Sequence, residues 1–161
     1  MVHVQHEFES VLFKDSKILI LGSIPSVQSR KKKFYYMHPN NRFYKVLEVI
    51  FQENFTDENI ENKKQLLKKH HIALYDVIDE CDIQGSSDQS IKNVQPTNIP
   101  FILAHYPIEK IFLNGKKAFE LFLYYFPSLA HMATLLPSTS SANASYTLEK
   151  LVEKWQIIKQ K

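Results

Sequence analysis

The stretch Lys17-Ile18-Leu19-Ile20-Leu21 limits what this chain can fold into more than any other. It is an unbroken apolar run, bounded by Asp15-Ser16 before it and Gly22 after it. A strand that is apolar without alternation is buried on both faces, which is the pattern of a parallel sheet covered by helices on each side. Polar sequence follows: Gly22-Ser23-Ile24-Pro25-Ser26, then the basic run Arg30-Lys31-Lys32-Lys33. From Phe43 the apolar residues fall at Phe43, Val46, Leu47, Ile50 and Phe51, the spacing of a helix lying on a core. The long loop between strand and helix leaves the carboxyl end of the strand, and ligands of open α/β sheets bind at that edge.

The same alternation continues along the chain. Residues 1 to 16 read as a lead-in segment covering one edge of the sheet. Thr56 or Asp57 caps a helix running to about His70, with Ile60, Leu66 and Leu67 inward. Ile72 to Ile78 is a second strand, and Cys81 to Gln95, rich in Ser, Asp and Gly, reads as a long functional or mobile loop. Asn98 caps a short helix that tolerates Pro100 in its first turn and stops before Pro107. Lys110 to Gly115 is a third strand, followed by a helix with Ala118, Leu121, Phe122 and Tyr125 on one face. Met132 to Leu136 is a fourth strand, closed by Pro137 to Asn143. The last helix turns Leu148, Leu151, Val152, Trp155 and Ile158 inward. Strands alternating with helices predict one three-layer α/β/α sandwich spanning residues 1 to 161, with a central four-stranded parallel sheet. The loops Gly22 to Asn41, Asp76 to Gln95, Asn114-Gly115 and Pro137 to Asn143 then share one edge.

Bulk properties exclude several classes. At 161 residues and 44% hydrophobic, the chain can bury a core. No apolar run approaches the ~20 residues that cross a bilayer, so no membrane association is expected. The N-terminal residues do not read as a secretory leader. The single cysteine, Cys81, excludes an internal disulfide and a multi-cysteine metal site, and fits a reducing cytoplasm. The net charge of +3 does not demand nucleic acid, but the positive residues cluster at 30–33, 63–64, 68–69 and 116–117.

Several residues carry candidate chemistry, each with a plainer alternative. Gly22 to Ser26 can cradle a phosphate or a base, or simply turn the chain after a strand. Three glycines in all exclude the phosphate loop of nucleotide hydrolases and the dinucleotide fingerprint. Asn41, just ahead of a helix, is an N-cap or an amide aimed into the cleft, and the two roles are compatible. His38 is an acid–base group or a turn residue. No partner stands at metal-ligand spacing from it, so no metal is expected. Ser138 to Ser141 hold a phosphate or form a polar loop. Phe34, Tyr35, Tyr36 and Phe43 stack on bases or fill a core.

Together, Leu21-Gly22-Ser23-Ile24-Pro25-Ser26, Phe34 to Tyr44 with its His38-Pro39-Asn40-Asn41, and Leu136 to Asn143 resemble the uracil-DNA glycosylase superfamily. They are most similar to its hypoxanthine-DNA (deoxyinosine) glycosylase branch. The resemblance implies removal of a deaminated base from DNA, hypoxanthine first and uracil second, by a monofunctional hydrolase without a cofactor. It maps the asparagine of the His-Pro-x-Asn element to Asn41, which in this branch looks like the residue that supports catalysis; other branches place an acid or amide in the first block, where Ser23 and Ile24 stand here. The base pocket is then expected from Gly22, Ser23, Tyr36, His38 and Phe43, with Asp76 and Asn114 inferred from their strand ends. DNA contacts are expected from Ser26, Arg30, Lys31, Ser138, Thr139, Ser140, Ser141 and Asn143. The implied partner is damaged DNA, read by a monomer. The competing readings are a DNA or nucleotide binder without catalysis and a small-molecule hydrolase on the same scaffold.

Overall fold

The structure is a computed structural model that describes residues 1–6 and 8–159. Its centre is a four-stranded parallel sheet in the order β3-β2-β6-β7, formed by β2 (Ile18–Gly22), β3 (Ile72–Asp76), β6 (Lys110–Asn114) and β7 (Ala133–Leu136). Leu19, Ile20 and Leu21 are fully buried because β2 pairs with β3 on one side and β6 on the other, with helices over both faces. Ile20 packs with Leu74 and Phe112 beneath α2 (Phe43–Phe51) and α6 (Leu148–Trp155). Leu19 and Leu21 pack with Ile111 and Leu113 against α4 (Ile99–His105) and α5 (Lys116–Tyr125). Each such side chain contributes about 1.5–3 kcal/mol by leaving water. The three-layer arrangement is the one the sequence pattern predicts.

Several features differ from the sequence expectation. The segment from Cys81 to Gln95 is not a loop. It belongs largely to a hairpin of β4 (Ile78–Ile83) and β5 (Lys92–Pro96), with a single 3-10 turn at Asp88–Ser90 between them. Its polar residues lie on the outer side of a small sheet, while Ile78, Cys81 and Ile83 form a satellite core. The expected strand from 72 to 78 therefore breaks at Asp76, and Ile78 begins the second sheet. The lead-in residues supply β1 (Val2–Gln5), which pairs antiparallel with β4, so the second sheet has the order β1-β4-β5. Val11 also bridges Leu74, covering the outer edge of β3 as expected.

The loop after β2 contains a six-residue helix, α1 (Val27–Lys32), capped by Ser26, whose Oγ accepts from the Ser29 N–H. The helix α3 (Ile60–Lys69) is capped by Asn59 rather than by Thr56 or Asp57; Asp57 instead accepts the Asn59 N–H one turn earlier. The last α-helix ends at Trp155 and continues as a 3-10 turn that carries Ile158 into the core. Among the described residues no helix is long and apolar enough to cross a membrane, and no group of three or more His, Cys, Asp or Glu could hold a metal ion.

Candidate active site

The ends of β2, β3 and β6 and the segment after β7 meet around a cavity of about 140 Å³, several times the ~30 Å³ share of one liquid water. Gly22, Asp76 and Asn114 come from the three strand ends, Tyr36 and Asn41 from the segment before α2, and Thr139 from the last block. Residues near 23, 41 and 140 thus line one hollow, although they are far apart in sequence. A larger groove of about 810 Å³ lies alongside and shares Ser23, Asp88, Asn114, Ser138 and Ser140 with the cavity. Lys116, Lys117 and Lys154 also line the groove.

Asn41 is held by a chain of hydrogen bonds whose directions are fixed. The Phe43 N–H donates to Asn41 Oδ1 at 2.9 Å, and the Thr139 hydroxyl donates to the same oxygen at 2.8 Å. Two donors on Oδ1 orient the amide, so its remaining capacity is the N–H groups of Nδ2. Thr139 is fully buried and in turn clasped by Asn114: Nδ2 of Asn114 donates to Thr139 Oγ1, and the Thr139 N–H donates to Asn114 Oδ1, both at 3.0 Å. The N-cap residue of α2 is Arg42 rather than Asn41; Asn41 stands one residue earlier, accepts the Phe43 N–H through Oδ1 and lines the cavity.

The last block is stapled by a residue that sequence reading passed over. The Arg42 guanidinium donates to the carbonyls of Ser140, Asn143 and Tyr146, and the Arg42 N–H donates to the Thr139 carbonyl. Within the block, Asn143 Nδ2 donates to Ser138 O, and Ser138 Oγ accepts the Ser140 N–H. The signal for Arg42 was its place next to Asn41, which the basic run at 30–33 overshadowed.

The opposite wall is built of buried polar groups. Asp76 is 3% exposed, and its Oδ2 shares a hydrogen bond of 2.8 Å with His6 Nε2. Burial pushes its carboxyl above the ordinary carboxylate range, and the His6 contact and the Gly22 backbone only partly offset this. The Tyr36 hydroxyl is buried and makes no hydrogen bond among the described residues, with the Asn114 side chain beside it. Burial, then the Asp76 charge, raise the Tyr36 hydroxyl far above its ordinary value. Tyr36 sits at φ +58°, a conformation that costs a bulky residue on the order of 1–3 kcal/mol, and its ring stacks on Phe43 at 4.1 Å. His6 gave no signal in the sequence, since it reaches Asp76 across 70 residues.

The remaining expected residues fall as follows. Phe43 is fully buried behind the Tyr36 ring and does not line the cavity. His38 is exposed outside it, where Nδ1 accepts the Asn40 N–H in a turn. Ser23 lines the cavity, and its hydroxyl donates to Asp88 Oδ1 at 3.1 Å, a carboxylate brought in by the β4–β5 hairpin. Ser26 lines the cavity while its oxygen caps α1. Arg30 donates to the carbonyls of Pro25 and Gly85, tying the first loop to the hairpin. Lys31 is exposed and lines neither hollow. Ser141 is exposed and lines neither hollow.

A doubly covered parallel sheet with a polar cavity at its carboxyl edge defines an α/β/α domain whose candidate site lies at the strand ends. Residues 10–160 match the Uracil DNA glycosylase superfamily, and the chain belongs to that family. It is 33% identical to a Hypoxanthine DNA glycosylase of Methanosarcina acetivorans over 96% of this chain and 98% of that protein. It is 35% identical to a Hypoxanthine DNA glycosylase of Methanosarcina barkeri over 84% of this chain and 86% of that protein. A protein of Methanosarcina acetivorans solved by solution NMR, provisionally named a uracil DNA glycosylase, superposes with a TM-score of 0.82 at 31% identity, covering 94% of each chain.

Proposed function

We propose that this protein is a monofunctional DNA glycosylase that removes hypoxanthine from deoxyinosine, with uracil as the second candidate base. The observation that supports this is the Asn41–Thr139–Asn114 network, which holds the Asn41 amide by its oxygen in the lining of a cavity of nucleobase scale. The names of the two archaeal relatives point to the same base.

A base stacked in a duplex cannot reach such a cavity, so the nucleotide is flipped out, at a cost of a few kcal/mol that is lower for a mispaired base. The DNA strand lies along the adjoining groove, where Lys116, Lys117 and Lys154 meet phosphates, and Ser138 to Asn143 lie against the flipped nucleotide. As the N-glycosidic bond breaks, its electron pair goes to the base and the sugar gains oxocarbenium character. Water adds its oxygen to C1′, and its proton ends on the released base. Asn41 is neutral and cannot act as a strong base. Its Nδ2 donors stabilise the charge developing on the base or hold the attacking water. The proposed reaction needs water alone and no cofactor, and the proposed working form is a monomer.

The test is an oligonucleotide set carrying inosine, uracil, xanthine and a thymine mismatch, scored for abasic product. Abasic product from the inosine duplex is expected. Retention of DNA without abasic product from any lesion would leave a binder in place of an enzyme. No retention of DNA would favour a small-molecule substrate.

A further inference from the structure

The His6–Asp76 pair has a proton arrangement that leaves one carboxylate oxygen permanently bare. His6 Nδ1 lies 3.0 Å from the Phe8 carbonyl, which can only accept, so Nδ1 carries a hydrogen. His6 Nε2 lies 2.8 Å from Asp76 Oδ2. If the ring is neutral, Nε2 is bare and the carboxyl supplies the bridging proton from Oδ2. If the ring is charged, Nε2 supplies it. One proton lies between Nε2 and Oδ2 either way, and Oδ1 is an acceptor in both states.

That oxygen stands next to an unpartnered donor. A Cβ placed on Gly22 would lie 2.7 Å from Asp76 Oδ1 and 3.3 Å from the Tyr36 hydroxyl, so both groups converge on the glycine at the cavity wall. The Tyr36 hydroxyl retains its proton, and with the Asn114 amide acting on its oxygen that proton has no acceptor among the described residues. Asn114 is less available for base recognition, because its oxygen and one N–H are committed to Thr139.

We propose that Asp76 Oδ1 and the Tyr36 hydroxyl together read the –NH–C(=O)– edge of the flipped base. Oδ1 accepts N1–H of hypoxanthine and Tyr36 donates to O6, while His6 is the positioning residue that keeps Oδ1 bare. The inference rests on the glycosylase reading above. Adenine, the parent of hypoxanthine, presents a bare nitrogen and an amino group at the same two places. At Oδ1 acceptor then faces acceptor, and a buried group left unpaired in this way is the basis of strong discrimination. Guanine presents the same edge as hypoxanthine, so this pair does not exclude it.

The test compares single-turnover cleavage of deoxyinosine and 1-methyldeoxyinosine in the same duplex. The methyl group removes N1–H and weakens pairing, so easier flipping works against the expected result. The wild-type protein should cleave the methylated base roughly 10- to 100-fold more slowly, the effect of leaving a buried acceptor without its hydrogen bond. Asp76→Ala should bring the two rates together. Asp76→Asn should keep the preference, because its Nδ2 can donate to a bare His6 Nε2 and leave Oδ1 in place; a general base would not survive that change. Equal rates in the wild-type protein, or a preference retained in Asp76→Ala, would overturn the proposal. A second measurement requires neither cleavage nor a variant: titration of the wild-type protein with free hypoxanthine and 1-methylhypoxanthine, read at the Gly22 and Tyr36 amides by NMR. Hypoxanthine should give the stronger response. An equal response, or none to hypoxanthine, would count against the pair, whereas cleavage of no lesion would count against the glycosylase reading alone.

Discussion

At the scale of single residues, the cavity depends on what is missing at Gly22. A methyl group there would stand 2.7 Å from Asp76 Oδ1 and 3.3 Å from the Tyr36 hydroxyl, both in a packed wall. Gly22→Ala should cost roughly 1–3 kcal/mol in chemical denaturation, by overpacking, and should abolish base release. A variant of unchanged stability and rate would show that the wall is slack. Part of this site was legible in the sequence. Asn41 stood out because a capping amide beside a helical stripe has only a few uses. Gly22 stood out because a strand end needs a turn. His6 and Thr139 are not assignable to their roles from sequence, since the contacts that define those roles reach partners remote in the chain. Phe43 and Tyr36 looked equivalent as aromatics, but helix geometry sends Phe43 into the core and leaves Tyr36 at the cavity.

At the scale of elements, periodicity served well where burial was one-sided or complete. The helix beginning at Phe43 and the strands ending at Gly22 and Asn114 follow directly from it. The β4–β5 hairpin escaped because its small sheet buries few apolar residues and its exposed residues have loop composition. The ion pairs joining the end of α3 to the segment after α2 offer a test of electrostatics. Glu53 accepts from Lys69 Nζ at 2.8 Å and also meets His70 Nε2. Lys69 first, then His70, hold its carboxyl below the ordinary glutamate value. A depressed carboxylate adds stability that is present above its unfolded pKa and is lost as pH falls through the lower folded pKa. Glu53→Gln should therefore lower Tm at neutral pH, with the difference from wild type shrinking on acidification. A difference independent of pH would mean that packing, not charge, holds this corner.

At the scale of the whole molecule, a nearly balanced net charge conceals a directional one. Lys116, Lys117 and Lys154 line the groove beside the cavity, whereas Arg30 is engaged with backbone carbonyls and Lys31 faces solvent elsewhere. Replacing the three groove lysines with glutamine should flatten the salt dependence of DNA binding by up to about 0.9 in log–log slope for each phosphate that is no longer neutralised. An unchanged slope would move the DNA off this face, and the same measurement on Lys31→Gln reports what the end of α1 adds. The central claim concerns chemistry more than binding, and it joins the sheet edge, the last block and the amide they position. It is tested most directly by single-turnover release of hypoxanthine from a deoxyinosine duplex by Asn41→Ala, with DNA affinity measured on the same protein. Loss of most of the wild-type rate at near wild-type affinity is the predicted result; a wild-type rate in the variant would contradict it.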